Sequence, residues 1–285
     1  MGKNKKEKKV IYYSDPLHDD FAGTNIKTVD VGSDFVYIHG RFWRFCSTVL
    51  YYIVLPIVSF LEFCFSGVRI VGRKNARRIK GGFFMYGNHT SFFDAYAPAV
   101  MVGPKRAHVI ASADSVSIRG LGTVVQMLGG IPIPNSFGGM KNFVDALEYY
   151  YRKGRMIAVY PEAHIWPYYT GVRPFESTSF RYPVKFNSPV IACFTAYSQP
   201  RGLSKLYRKS KKTIYVSEPI YPDTSLPLKD AQQKLRDEVY EYMKKISEKY
   251  STNSLIEYVY VPKPSETEEI VSEQREPSYA VQRAD

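Results

Sequence analysis

Residues 82–97 read Gly82-Phe83-Phe84-Met85-Tyr86-Gly87-Asn88-His89-Thr90-Ser91-Phe92-Phe93-Asp94-Ala95-Tyr96-Ala97. The first half is a short apolar run of the kind that forms a buried strand. Ser91 followed three residues later by Asp94 is a capping-box pattern, with Asp where Glu or Gln is usual. A strand therefore ends at about residue 87 and a helix begins near 92, the place where α/β proteins put their ligand sites. His89 and Asp94 stand at that junction. An imidazole can take the proton of a hydroxyl at neutral pH, and a carboxylate can hold its other ring nitrogen and stabilise the imidazolium. By themselves the residues also admit a plainer reading, with Asp94 as a cap and His89 as a turn histidine.

The pattern continues on both sides. Strands are expected at 68–71, 82–87, 107–111, 131–134, 155–160, 190–196 and 213–218, with a helix over about 139–151. Pro227 opens a last helix carrying Leu228, Leu235, Val239, Met243 and Ile246 on one apolar stripe. This alternation predicts an α/β fold, a mixed sheet flanked by helices. Four segments are expected: a basic polar arm at 1–34, a membrane-associated helical element at 35–66, the α/β domain at 67–255, and a polar disordered tail at 256–285.

The second segment rests on Phe45 to Leu61, 17 residues without a charge, at the lower limit of ~17–25 for a spanning helix. Pro56 interrupts it and Glu62 closes it. A helix or broken hairpin sunk into one leaflet is expected, ahead of a full span.

The 285 residues carry a net charge of +12 and are 45% hydrophobic, a folded composition. Residues 263–285 hold six acids and three bases, so the surplus lies earlier. It falls in a lysine arm (Lys3, Lys5, Lys6, Lys8, Lys9), in Arg73–Lys80, and in Arg201–Lys212. No nucleic-acid signature accompanies these clusters, so an anionic membrane surface or an acidic substrate is expected in place of nucleic acid. Cys46, Cys64 and Cys193 lack metal-ligand spacing and fit a reducing compartment. No secretory signal peptide, Walker loop, GxGxxG or zinc-protease pattern is recognisable.

Three further segments follow in order: Gly129-Gly130-Ile131-Pro132-Ile133-Pro134, Tyr160-Pro161-Glu162-Ala163-His164, and Ser188-Pro189-Val190-Ile191-Ala192-Cys193. With Asn88-His89-x4-Asp94 they resemble the four ordered blocks of the glycerolipid (lysophospholipid) acyltransferase superfamily. The resemblance is closest to the 1-acylglycerol-3-phosphate acyltransferases and covers about residues 67–220, Arg173-Pro174-Phe175 and Ser179-Phe180-Arg181 included. It implies O-acyl transfer from an acyl-carrier-protein or coenzyme A thioester to a lysophospholipid, at the cytoplasmic face of the cell membrane, with no metal or organic cofactor. It also implies His89 as base, Asp94 as its support, and Glu162 as an acceptor-binding residue. Backbone amides after His89 or around Pro161-Glu162 become candidates for the oxyanion.

Two positions depart from the family. Its second block usually ends in arginine, where this chain has Pro134-Asn135-Ser136. Its third usually reads Glu-Gly-Thr-Arg, where this chain has Glu162-Ala163-His164-Ile165. Both absent arginines are those expected to grip an acceptor phosphate. Arg173, Arg181 and Lys185 are the expected substitutes, with His164 a partial one. The departures leave open a different lysolipid or amino-lipid acceptor, and a non-catalytic lipid-binding membrane protein of the same fold.

Overall fold

The protein, a computed structural model, is described over residues 8–21, 28–118 and 120–262. Lys3, Lys5 and Lys6 of the basic arm, and the tail from residue 263, lie outside the described residues. Strands run in chain order as β1 (Lys9–Tyr13), β2 (Arg69–Val71), β3 (Phe83–Gly87), β4 (Ala107–Ala111), β5 (Gly130–Pro132), β6 (Met156–Val159), β7 (Val190–Ser198), β8 (Lys211–Val216) and β9 (Ile256–Tyr260). The helices are α1 (Arg41–Ser66), α2 (Arg73–Arg77), α3 (Ala97–Val102), α4 (Asp114–Ser117), α5 (Gly122–Met127), α6 (Gly139–Arg152), α7 (Arg181–Phe186) and α8 (Leu228–Tyr250).

Seven strands make one mixed sheet in the order β2-β8-β7-β3-β6-β4-β5. Neighbours are parallel except β7 and β8, which pair antiparallel. The strand that leads to His89, β3, is central, with Phe84 opposite Val190 on one side and Ile157 on the other. Helices cover both faces, which is why β3, β6 and most of β7 are continuous apolar runs. Phe84 and Tyr86 point into a layer with Leu147, Phe180, Leu235 and Met243 of the α6, α7 and α8 side. Phe83 and Met85 point the other way, to Tyr51, Met101 and Val102 of α1 and α3. Along α8 the buried residues are Ala231, Leu235, Val239, Met243 and Ser247, four apart as a helix face requires. Leu228, expected on that stripe, is exposed at its start.

The second segment takes the first of its two expected forms, a helix and not a broken hairpin. α1 is one unbroken helix of 26 residues, about 39 Å long at 1.5 Å per residue. Pro56 lies on its open face, while the opposite face is fastened to the domain on both sides of that proline. Ser47 donates to the Met127 carbonyl at 2.7 Å, the Tyr51 hydroxyl accepts from the Ala107 amide at 3.0 Å, and Tyr52 donates to the Pro104 carbonyl at 2.6 Å. Arg106 reaches Ser47 and lies over the Tyr51 ring. Beyond Pro56, Arg208 holds the Phe63 and Cys64 carbonyls. The open face presents Phe42, Phe45, Val49, Ile53, Ile57 and Phe60 to the outside. This is an amphipathic helix turned inside out, with polar anchors on the packed face and bare hydrocarbon outside.

The expected boundaries shift accordingly. Residues 67–255 are not closed without α1, because Tyr51 and Leu55 belong to their core. The arm contributes ordered structure: Val31 is fully buried in the other core layer, and β1 pairs in parallel with β9, which falls inside the expected tail. Both strands are short, and each is stabilised by the other and by aromatic packing, Tyr13 lying against Trp166 and Tyr260.

Candidate active site

The chain leaves β3 through Gly87 and turns at Asn88. The Asn88 side chain donates to the Thr195 carbonyl at 3.2 Å and accepts from the Thr195 amide at 2.7 Å. It thus continues the β3–β7 ladder one rung beyond the strand and fixes the backbone on which His89 stands. Replacing Asn88 by alanine should leave both Thr195 groups buried and unpaired. A loss of about 1–3 kcal/mol in urea unfolding is expected.

Asp94 sits 1% exposed in a short 3-10 turn capped by Ser91. The expected capping box is present, and it is also a clamp. One carboxylate oxygen, Oδ2, accepts the Thr90 and Ser91 amides at 2.7 and 2.8 Å and faces His89 Nδ1 at 3.4 Å. The other, Oδ1, accepts from the Lys212 ammonium at 3.0 Å. Burial alone would oppose ionisation, but Lys212 and His89 override it and hold the Asp94 carboxyl well below the usual range. With Nδ1 committed to Asp94, Nε2 is the nitrogen left to act as base. The imidazole is stacked on Tyr160 at 4.6 Å between centroids, and the Tyr160 hydroxyl donates to the Asp94 carbonyl. The ring is held from two sides.

Lys212 is the residue that sequence reasoning missed. It shares the face of Ile214 and Val216 on β8, is buried, and also approaches Glu62 of α1 at 3.7 Å. Burial disfavours its charge, yet Asp94 and Glu62 hold the ammonium protonated. Burial in turn raises the Glu62 carboxyl against the pull of Lys212. A buried row His89–Asp94–Lys212–Glu62 therefore joins His89 to α1.

On the other side of His89 lies the loop after β6. Glu162 is buried; Oε2 accepts the His89 amide at 3.2 Å and Oε1 the Arg173 amide at 3.0 Å. Arg173 pairs with Oε2 at 3.2 Å and donates to the His164 carbonyl, over the Trp166 ring. Burial pushes the Glu162 carboxyl up, against Arg173. Trp166 donates its amide to the His89 carbonyl and is enclosed by Tyr13, Phe21, Tyr169 and Tyr258.

His89, Asp94, Glu162 and Arg173 are thus brought together, and three other expected site residues are not. The His164 side chain turns to Asp20 at 3.6 Å. Arg181 and Lys185 lie exposed on α7, the helix on the face of the sheet opposite α1. Arg173 itself is 1% exposed and bound to Glu162, so it orders the loop from inside instead of facing an acceptor. Candidate oxyanion donors are engaged as well. The amides of His89, Thr90, Ser91, Ala163, His164 and Trp166 all donate within the protein.

The two departures from the family pattern acquire structural roles. Asn135, where an arginine was expected, accepts the Val31 amide at 2.8 Å and donates to the Val29 carbonyl at 3.0 Å, pinning the N-terminal segment. Ala163, where glycine was expected, has φ of 61°, a left-handed conformation that strains an L side chain by about 1–2 kcal/mol.

Residues 67–195 match the family described as Acyltransferase. The chain carries an acyltransferase domain. The match spans His89, Asp94, Glu162 and Arg173; Glu62 and Lys212 of the acyltransferase lie outside it. Among solved structures, the 1-acyl-sn-glycerophosphate (LPA) acyltransferase PlsC from Thermotoga maritima is similar at 16% identity and a TM-score of 0.48, over 74% of this chain and 99% of that one. No curated protein matches the acyltransferase.

Proposed function

We propose that this acyltransferase moves a fatty acyl group from a thioester of coenzyme A or acyl-carrier protein to the hydroxyl of a lysophospholipid, with 1-acylglycerol-3-phosphate giving phosphatidic acid as the leading case. The observation that carries the reading is the fixed pair His89–Asp94, with Nδ1 bonded inward and Nε2 left as the base. The acceptor hydroxyl gives its proton to Nε2 as its oxygen attacks the thioester carbonyl. The tetrahedral intermediate then expels the thiolate, which takes the proton back from the imidazolium. Asp94, kept ionised by Lys212, supports the cation that forms in between. Glu162 fixes the backbone at His89.

α1 fits a helix lying in the plane of one leaflet, open face down, at the cytoplasmic side. Its fastening from Ser47 to Cys64 along one domain supports this in place of a span, although its length and composition would allow crossing.

A second reading concerns the acceptor. Arg173 is bound to Glu162, and Arg181 and Lys185 stand on the far face, which favours an acceptor held without a guanidinium fork. Purified protein should be given lysophosphatidate and phosphate-free lysolipids with both donors. On the leading reading, lysophosphatidate gives the highest kcat/KM, and Arg181→Ala and Lys185→Ala change it by less than about twofold, as exposed cations remote from the base should. Turnover of a neutral or amino-lipid acceptor without lysophosphatidate use would establish the second reading.

A further inference from the structure

The antiparallel pair β7–β8 is joined by a turn that the catalytic arrangement does not use. Residues 199–211 contain Arg201, Lys205, Arg208, Lys209 and Lys211 and no acidic residue. Gly202–Leu206 form a 3-10 turn with no buried residue. Leu203 and Leu206 are 80% and 83% exposed, and Tyr207 stands beside them. Isolated exposed leucines are ordinary; two at a tip ringed only by cations are not.

The position of the turn gives the pattern a direction. β7 runs five residues past Cys193, which lies opposite Gly87, so the turn sits at the His89 end of the sheet. Arg208 donates to the Phe63 and Cys64 carbonyls at 2.9 and 3.0 Å, which fastens the turn to the last turn of α1, beside exposed Phe60, Phe63 and Phe65. Three apolar side chains offer far less than the roughly 800 Å² per partner of a stable protein interface. A bilayer asks less: a small apolar wedge and cations at the level of the phosphates.

We propose that the β7–β8 turn is a second membrane contact, in which Leu203 and Leu206 enter the headgroup boundary of an anionic bilayer and Arg201, Lys205 and Lys209 lie on its phosphates. It deepens the membrane-seated reading above, since α1 and the turn together fix which way the His89 mouth faces.

The test uses the full chain and phosphatidylcholine vesicles with and without phosphatidylglycerol. Arg201→Gln/Lys205→Gln/Lys209→Gln should weaken binding to the anionic vesicles by roughly 10²-fold, about fivefold per cation, and leave binding to neutral ones unchanged. Leu203→Ser/Leu206→Ser should weaken binding to both by about tenfold or more. Both variants should keep wild-type turnover of an acceptor too short-chained to aggregate. Unchanged vesicle binding in both variants overturns the proposal. A Phe45→Ser/Ile53→Ser variant separates it from the reading of α1. If that variant binds normally while the turn variants do not, the turn stands and the α1 seat fails. If it alone loses binding, α1 stands and the turn fails.

Discussion

Replacing His89 by alanine should lower acyl transfer by ~10²–10⁴-fold, the range of a lost general base. The protein should stay folded, because His89 gives up only a 3.4 Å contact to Asp94 and a stacked face on Tyr160. Asp94 keeps the Thr90 and Ser91 amides and Lys212. Single-turnover kinetics with a radiolabelled thioester, beside a urea melt, separate the two effects. A folded alanine variant with undiminished transfer would falsify the assignment of the base.

The larger effect on stability is expected at Lys212. Lys212→Met removes the ammonium at 3.0 Å from Asp94 and leaves that buried carboxylate facing Glu62 with no cation between them. Removing one partner of a buried pair costs about 3–5 kcal/mol, here together with much of the catalytic rate. The pH dependence tells this apart from a packing defect. In the native protein the depressed Asp94 contributes stability above the ordinary carboxylate range, lost only as pH falls through its lowered native value. Without Lys212 the native carboxyl should instead titrate above its unfolded value, so the variant gains stability as pH falls from 7.5 to 5 on the ordinary linkage. Urea midpoints at the two pH values, with Lys212→Arg as the conservative control, decide it. Equal midpoints for variant and wild type would sink the claim that the ammonium holds Asp94 in place.

The sheet was legible because its central strands β3, β6 and β7 are apolar runs bounded by turn residues, and burial on both faces demands such runs. His89 and Asp94 were legible for a different reason: they are close in sequence, and the capping pattern around Ser91 announces the turn between them. Lys212 was not. Its partner is 118 residues away, and it follows Lys209 and Lys211, so it reads as one more solvated charge. The parity of β8 alone separates it from them, sending position 212 inward with Ile214. Glu62 reads as the end of an apolar run, when it is the acidic end of a buried row. Arg173 reads as an acceptor cation by its charge, and nothing local shows that it is buried with its Nη2 on Glu162. Pro56 reads as a break because proline disfavours helix interiors, and the anchors on the opposite face keep the helix whole.

The pairing of β1 with β9 bears on how the molecule comes to be active. These strands come from near opposite ends of the described chain and meet over Trp166, whose amide holds the His89 carbonyl. During synthesis the central sheet can assemble early, but the latch over the Glu162 loop must wait for the last helix to be made and for a closure spanning almost the whole polypeptide, the slowest kind of contact to form. Competence should therefore arrive late, after the bulk of secondary structure. A nascent chain halted within α8 would hold His89 and the aspartate that supports its ring while the loop behind them is still unroofed.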